Sequence, residues 1–449
     1  MAVIAAQPPA LLKLRSYLAY LALAAGVLVA VPGFGIAGAV TIILAILLGW
    51  HDLHLISRLL FALVVLTTGI ALWAAPPALI GAAENMTRLT ALIITVMLLS
   101  TMLGRSRDLG SISSSLFKGK PLARYFSVTF GTAFLAMPLN FGSVGVVATM
   151  IGGEVGERGD SATTRNASRA MLRGFGASPI CSPLSISVVI TLTFLPGLKS
   201  WELIALSLPL AIAYLSCSAL FREPEYAQTP TLEPAESKSR LAFVAPWLRF
   251  AGIIGAICVA TFALSAWADF SYSRAVTLSC LGAVVVGLAN SGLRGESVRL
   301  PSMASLSNEM VIIGGSAFLG VLVSTFALQL LGEGFNLPHW TYPLVAFAVP
   351  WLFFTGGMVG LNPIVIGTLV GGILSPIWPA DAILGLGIAM VSGWGLTTAG
   401  TPYSANSLLL ERLTGYSAQH AALRWNMPLS ALSLTTAGLV AAALTYGWP

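Results

Sequence analysis

The sequence predicts an all-α polytopic membrane protein of about eleven transmembrane helices plus two re-entrant hairpins, arranged as two inverted repeats. Three observations carry that expectation. Charge is scarce: 23 Lys or Arg and 17 Asp or Glu make up 9% of 449 residues, where a soluble domain carries about 25%. Apolar residues make up 56% and mean hydropathy is +0.87. Such a chain cannot cover a water-facing surface with polar groups. The third observation is an internal repeat at one fixed offset. A soluble globular protein, a disordered chain and a disulfide scaffold are excluded. Cys181, Cys217, Cys258 and Cys280 lie in apolar stretches and form no CxxC, which argues against a disulfide framework or a zinc site.

A spanning helix needs about 20 apolar residues. Apolar runs fall at about 17–31, 35–50, 55–75, 89–104, 202–220, 247–268, 274–290, 309–331 and 422–447. The first has no clear cleavage site, so residues 1–34 are expected to be an N-terminal segment with a retained extra span. Two blocks are less regular, 123–196 and 342–411. Each holds a Gly- and Pro-interrupted run, a break at 153–168 or 374–381, then a second interrupted run. Residues 222–246, rich in Glu, Pro, Ser and Thr, are expected to be a solvated cytoplasmic linker.

Sliding the chain by 219 residues aligns the two irregular blocks without a gap. Phe134 falls on Phe353, Gly152 and Gly153 on Gly371 and Gly372, and Ala170 and Met171 on Ala389 and Met390. Gly174, Gly176, Pro183 and Ser185 fall on Gly393, Gly395, Pro402 and Ser404. Repeat 1 is therefore expected over 35–221 and repeat 2 over 247–449. Re-entrant hairpins are placed at 123–152 and 342–373, because arms of about 15 residues are short for a full span. Broken helices are placed at 169–196 and 382–411. Each repeat then has five spans. An odd number inverts the second repeat and puts the termini on opposite sides.

With the N-terminus inside, 20 of the 23 Lys and Arg fall on the inner face, and only Arg88, Lys199 and Arg274 fall outside. That asymmetry is the orientation signal of a membrane protein. The net charge of +6 then needs no nucleic-acid partner. The expected location is the bacterial inner membrane, with the C-terminus outside.

Four interruptions recur, two per repeat. They centre on Asn140, Gly142 and Ser143; on Ser178, Ser182, Pro183 and Ser185; on Gly360, Asn362 and Pro363; and on Thr397, Thr398, Thr401, Pro402, Ser404 and Asn406. Asn362-Pro363, Ser182-Pro183 and Thr401-Pro402 have the form of an N-cap followed by proline at the first helical position. Ser143, the repeat mate of Asn362, could cap in the same way. Helix starts deep in a membrane present free N–H groups and positive dipole ends, which hold an anion without a buried Lys or Arg. Carbonyls and the oxygens of Asn140, Ser143, Ser178, Asn362, Thr397 and Thr401 suit Na⁺, the expected coupling ion. No other cofactor is expected. Arg173, just before the first break, is expected to be an inner-face anchor rather than an anion ligand.

The other motifs count against alternatives. Gly33–Gly38 matches a dinucleotide fingerprint but has no strand before it. His51, His54, His339 and His420 form no metal-spaced group. All 17 acids lie in loops or near span ends, and none is in the four interruptions. Proton-coupled carriers usually use an intramembrane carboxylate. No hydrolase motif is present, so an enzyme is not expected.

This arrangement resembles the ion transporter superfamily of divalent anion:sodium symporters, arsenite-permease-like proteins and dicarboxylate carriers. Gly400-Thr401-Pro402-Tyr403-Ser404-Ala405-Asn406 is similar to that group's Gly-Thr-Pro…Asn element, and Cys181-Ser182-Pro183 is its weaker first-repeat equivalent. The hairpin tips Asn140-Phe141-Gly142-Ser143 and Gly360-Leu361-Asn362-Pro363 depart from the Ser-Asn-Thr tips of the symporters. The resemblance implies a homodimer working by an elevator mechanism. The expected function is secondary transport of a small organic anion, such as a carboxylate, with Na⁺. The alternatives are a proton-coupled or passive exporter, or a channel, of the same fold.

Overall fold

The computed structural model describes residues 8–225, 240–295, 300–332, 335 and 337–446. Among them are helices and turns with no strand. In chain order the helices are α1 (Pro9–Val27), α2 (Phe34–Leu48), α3 (Leu55–Ala74), α4 (Ala78–Gly104), α5 (Arg107–Leu116), α6 (Pro121–Leu139), α7 (Phe141–Arg158), α8 (Ala162–Cys181), α9 (Ile186–Phe194), α10 (Ser200–Cys217), α11 (Arg240–Trp267) and α12 (Tyr272–Leu293). Then follow α13 (Ser307–Leu331), α14 (Thr341–Met358), α15 (Pro363–Leu374), α16 (Ile383–Gly400), α17 (Ala405–Thr414) and α18 (Ala418–Tyr446).

Eleven helical segments among the described residues are long and apolar enough to cross a membrane, and the chain is a polytopic helical membrane protein. The eleven are not the same set that the apolar runs suggest. α2, between Gly33 and Gly49, has only 15 residues, or about 22 Å at 1.5 Å per residue. α14, assigned from the sequence to a hairpin arm, has 18 residues and meets the criterion.

Several boundaries move outward, because helices continue past their apolar runs. α1 begins eight residues before 17 and encloses Arg15, which is buried. Arg15 is not a flanking anchor: it pairs with Asp52 at 2.5 Å and Ser307 at 3.0 Å. α4 begins at Ala78 and encloses Glu84 and Arg88. The expected break at 153–168 shrinks to three residues, since α7 runs to Arg158 and Ser161 caps α8 with Thr164 in a capping box. Three of the four hairpin arms therefore have 18 or 19 residues, so arm length alone does not make them re-entrant. Residues 226–239 of the expected linker, with Lys238, lie outside the described residues, as do Arg299 and residues 1–7. The linker's ends are ordered: Glu223 pairs with Arg165 at 2.8 Å and Arg169 at 2.5 Å, Glu225 pairs with Arg124, and residues 240–246 are helical.

In the broken segments Ala162–Phe194 and Ala380–Thr414, 83% of an apolar 18-residue stretch is buried, against 22% in Leu55–Ala74. The broken spans therefore form the centre. α3 turns Leu59, Leu63, Leu66 and Trp73 outward, where lipid replaces water as solvent. At the centre, α8 crosses α16 at Gly176 and Gly395. A Cβ on Gly176 would lie 2.5 Å from Ala399 Cβ and 2.9 Å from the Gly395 carbonyl. These two glycines are 219 residues apart in the sequence and touch each other. Only glycine allows the backbones this close.

Candidate functional site

Both breaks are built the same way, three residues later than their prolines suggest. α8 ends at Cys181 and α16 at Gly400, so Ser182 and Thr401 are C-caps, not N-caps. Their carbonyls accept from Ser185 N at 3.1 Å and Ser404 N at 3.4 Å. Pro183 and Pro402 thus occupy the second position of a tight turn, for which the ring pre-sets φ. The caps are Ser185, accepting from Val188 N at 3.3 Å, and Ser404, accepting from Ser407 N at 3.2 Å. Each break is also clamped from the far side. Ser187 donates to the Pro179 carbonyl, and its repeat mate Asn406 donates Nδ2 to the Thr398 carbonyl at 3.2 Å.

The hairpin tips differ from each other. In the second, Asn362 accepts from Ile364 N at 2.9 Å with Pro363 at the first helical position. In the first, α6 and α7 meet at Asn140, whose φ of 48° and ψ of −127° are left-handed. Ser143 does not cap: its hydroxyl donates to the Asn140 carbonyl at 2.7 Å. The second tip uses Gly360, with φ of 87°, where such a backbone carries no side-chain penalty. Strained backbone at a cavity wall is a frequent mark of function. Asn140→Val is expected to lower stability by about 1–3 kcal/mol, while Asn140→Gly keeps it. Thermal unfolding of the purified protein checks both.

The two tips and the two breaks open onto one cavity of about 390 Å³. Eleven of the sixteen expected site residues line it: Asn140, Ser178, Ser185, Gly360, Asn362, Pro363, Thr397, Thr398, Thr401, Ser404 and Asn406. Gly142, Ser143, Ser182, Pro183 and Pro402 do not. Gly142 sits over Ser100, and Ser143 and Ser182 are buried inside their own turns. The Pro183 carbonyl accepts from the Tyr272 hydroxyl of α12 at 2.9 Å. Of the six residues expected to suit Na⁺, only Ser143 lies off the cavity.

Thr397, Thr398 and Thr401 donate their hydroxyl protons back to helix carbonyls at 2.7–2.8 Å. Their oxygens keep lone pairs for a cation. Asn406 Oδ1 is buried with no hydrogen-bond partner, so it too can accept from a ligand or coordinate a cation. The four helix starts at Asn140, Ser185, Asn362 and Ser404 supply donors. Among the described residues no Lys or Arg lines the cavity. Arg173 points away from it, fully buried among neutral acceptors behind α8.

The facing wall comes from other helices: Ser57 of α3, Ile93, Val96 and Met97 of α4, and Glu309, Ile312 and Ile313 of α13. Aromatic rings shape the near wall, with Phe141 stacked on Phe175 at 5.6 Å and Trp394 against Phe353 at 6.1 Å. Glu309 and His54 escape a reading of the interruptions. Glu309 does carry a signal, as the one acid opening the run 309–331, followed at once by a π-helical turn at Met310–Gly315. Such turns recur at functional sites.

No family model matches the chain, and no curated protein matches it. Among solved structures it is similar to the YdaH transporter of Alcanivorax borkumensis, with 16% identity over 83% of this chain and 88% of that one, at a TM-score of 0.45.

Proposed function

We propose that the chain is a secondary active transporter of a small organic anion, a carboxylate or a close chemical relative, coupled to Na⁺. The observation that carries this reading is the convergence of four helix starts on one cavity without any Lys or Arg. Backbone N–H groups and helix dipoles attract an anion there. They do so without the desolvation cost of a buried counter-charge. The carbonyl ends of α8 and α16 and the hydroxyls of Thr397, Thr398 and Thr401 meet the same space and suit Na⁺. A cation next to an anion site binds more strongly when the anion is present, which is coupling in thermodynamic terms.

The sequence resemblance supports an elevator mechanism in a homodimer. The hairpins and broken spans, α6–α9 and α14–α17, are the moving unit. α3, α4 and α13, which supply the facing wall, belong to the scaffold. The tips dip into the membrane from opposite faces, which is how two hairpins of an inverted repeat reach one cavity. Uptake of radiolabelled mono- and dicarboxylates and sulfonates into proteoliposomes tests the reading. An inward Na⁺ gradient is expected to raise uptake of at least one of them several-fold over a K⁺ gradient. Uptake of all of them that is indifferent to Na⁺ would overturn the coupling.

A further inference from the structure

Glu309 stands where a transport cavity meets its framework. It is the first charged residue of α13, inside the membrane-crossing length Ser307–Leu331. It lines the same cavity as the four helix starts. Its Oε2 is sealed from solvent and has no hydrogen-bond partner. Among the cavity-lining residues Glu309 is the one carboxylate, and His54 lines the same cavity.

The neighbouring charged groups are already engaged. Arg15 of α1 is bound to Asp52 and to Ser307, two residues before Glu309. Arg58 of α3 donates to the Trp50 and His51 carbonyls at 3.4 and 3.5 Å. Asn308 is tied to the Asp52 carbonyl at 3.0 Å and to His54 N at 2.9 Å. Of these groups His54 acts on Glu309 directly, while Arg15 and Asp52 hold Ser307 and Asn308, the two residues before it. α2 and α15 bring no charge, and α4 meets the cavity with Ile93, Val96 and Met97. A carboxylate oxygen held this way, in an apolar wall, lacks the partner that an ionised group needs. A proton supplies it, and turns an acceptor-only group into a donor facing the cavity.

We propose that Glu309 is a proton-binding site of the transport cavity, taking up and releasing a proton through the water of the cavity. Intramembrane carboxylates facing a cavity are the usual carriers of protons in transporters. The inference rests on the cavity being a transport site, but its test needs no substrate. Protonation and release leave the covalent structure unchanged: a proton from water binds the Glu309 carboxylate, whose side chain lines the cavity, and returns to water. His54, beside it in the same wall, is a positioning residue whose charge biases that equilibrium.

The experiment is infrared difference spectroscopy of the purified full-length protein as pH is stepped between about 5 and 8. The wild type is expected to show a protonated-carboxyl band that appears as pH falls. Glu309→Gln is expected to remove that band, and His54→Gln to shift its midpoint while leaving the band in place. A wild type without a pH-dependent carboxyl band in this range would overturn the proposal even if Glu309→Gln failed to fold. So would a band that persists unchanged in Glu309→Gln. Na⁺-dependent uptake can succeed or fail independently of this result.

Discussion

Arg173→Met is expected to destabilise the folded protein by about 3–5 kcal/mol, seen as an unfolding midpoint lower by on the order of 10 °C. The guanidinium is fully buried and donates to the Asn426 Oδ1 at 2.9 Å, the Tyr125 hydroxyl at 2.8 Å, the Ser218 carbonyl at 2.9 Å and the Trp425 carbonyl at 2.8 Å. The Phe221 carbonyl accepts more weakly at 3.4 Å. Four regions meet there: α8, α6, the end of α10 and the start of α18. The carbonyl-rich end of α10 directs a negative dipole end at the cation. Removing it strands those acceptors in the interior, and each stranded acceptor costs about 1–3 kcal/mol. The costs overlap, since the groups can partly relax together.

Two companions separate this from a general effect of losing charge. Arg173→Lys is expected to recover less than half of the loss, because three donors on one nitrogen cannot reproduce a planar fork. Arg249→Met removes a solvent-exposed arginine paired with Asp108 at 2.5 Å and is expected to leave the midpoint unchanged, since exposed pairs contribute little. The hydrogen bond from Arg249 holds the Asp108 carboxyl below its ordinary range. Whatever that pair contributes is present above the unfolded carboxylate range, and is lost as pH falls through the lowered folded value. Fluorescence-detected thermal unfolding in detergent measures all three variants. An Arg173→Met protein as stable as the wild type would show that the guanidinium does not hold these four regions together.

The second large effect is expected from Ser404→Asp. Aspartate caps a helix as well as serine does, so the α17 start at Ala405 and the fold should survive with an unchanged midpoint. The new carboxylate would nonetheless face the cavity that Ser404 lines. Two like charges about 4 Å apart repel by roughly 4 kcal/mol at an effective dielectric near 20. Anion affinity is therefore expected to fall by on the order of 100-fold or more. Ser185→Asp, at the repeat-related start of α9, is expected to act in the same direction. Ser404→Ala should weaken binding only about fivefold, since it loosens the first turn by about 1 kcal/mol without repelling the ligand. Isothermal titration with an anion that the wild type transports measures this. If Ser404→Asp bound anions as the wild type does, or more tightly, the anion would not sit at these helix starts.

Much of this architecture is legible before any coordinates. Gly174, Gly176, Pro183 and Ser185 recur at Gly393, Gly395, Pro402 and Ser404, and the structure interrupts two highly buried segments at the Pro and Ser positions of that pattern. What the local pattern mistakes is which residue caps. Ser-Pro and Thr-Pro have the composition of a helix start and also of a tight turn. The choice falls to the turn because Ser187 and Asn406 reach back across the break to Pro179 and Thr398, which leaves Ser185 and Ser404 as the caps. At the first tip no motif marks Asn140 as left-handed, since the strain is held by the meeting of α6 and α7 and by Ser100 donating to the Leu139 carbonyl at 2.9 Å.

The sequence by itself determined the class of molecule, the number of spans to within a substitution of one helix for another, and the four places where helices stop. Those properties depend on average polarity and on glycine, proline and small polar residues acting over a few positions. The tertiary structure alone decided which side chains share a space. It turned Arg173 away from the cavity onto residues 252 and 253 positions distant. It buried Arg15 against Ser307, 292 positions away. It also brought Glu309 to the cavity that the helix starts line. In a membrane interior the placement of a charge is set by which neutral or opposite partners the fold can bring to it, and those partners come from distant parts of the chain.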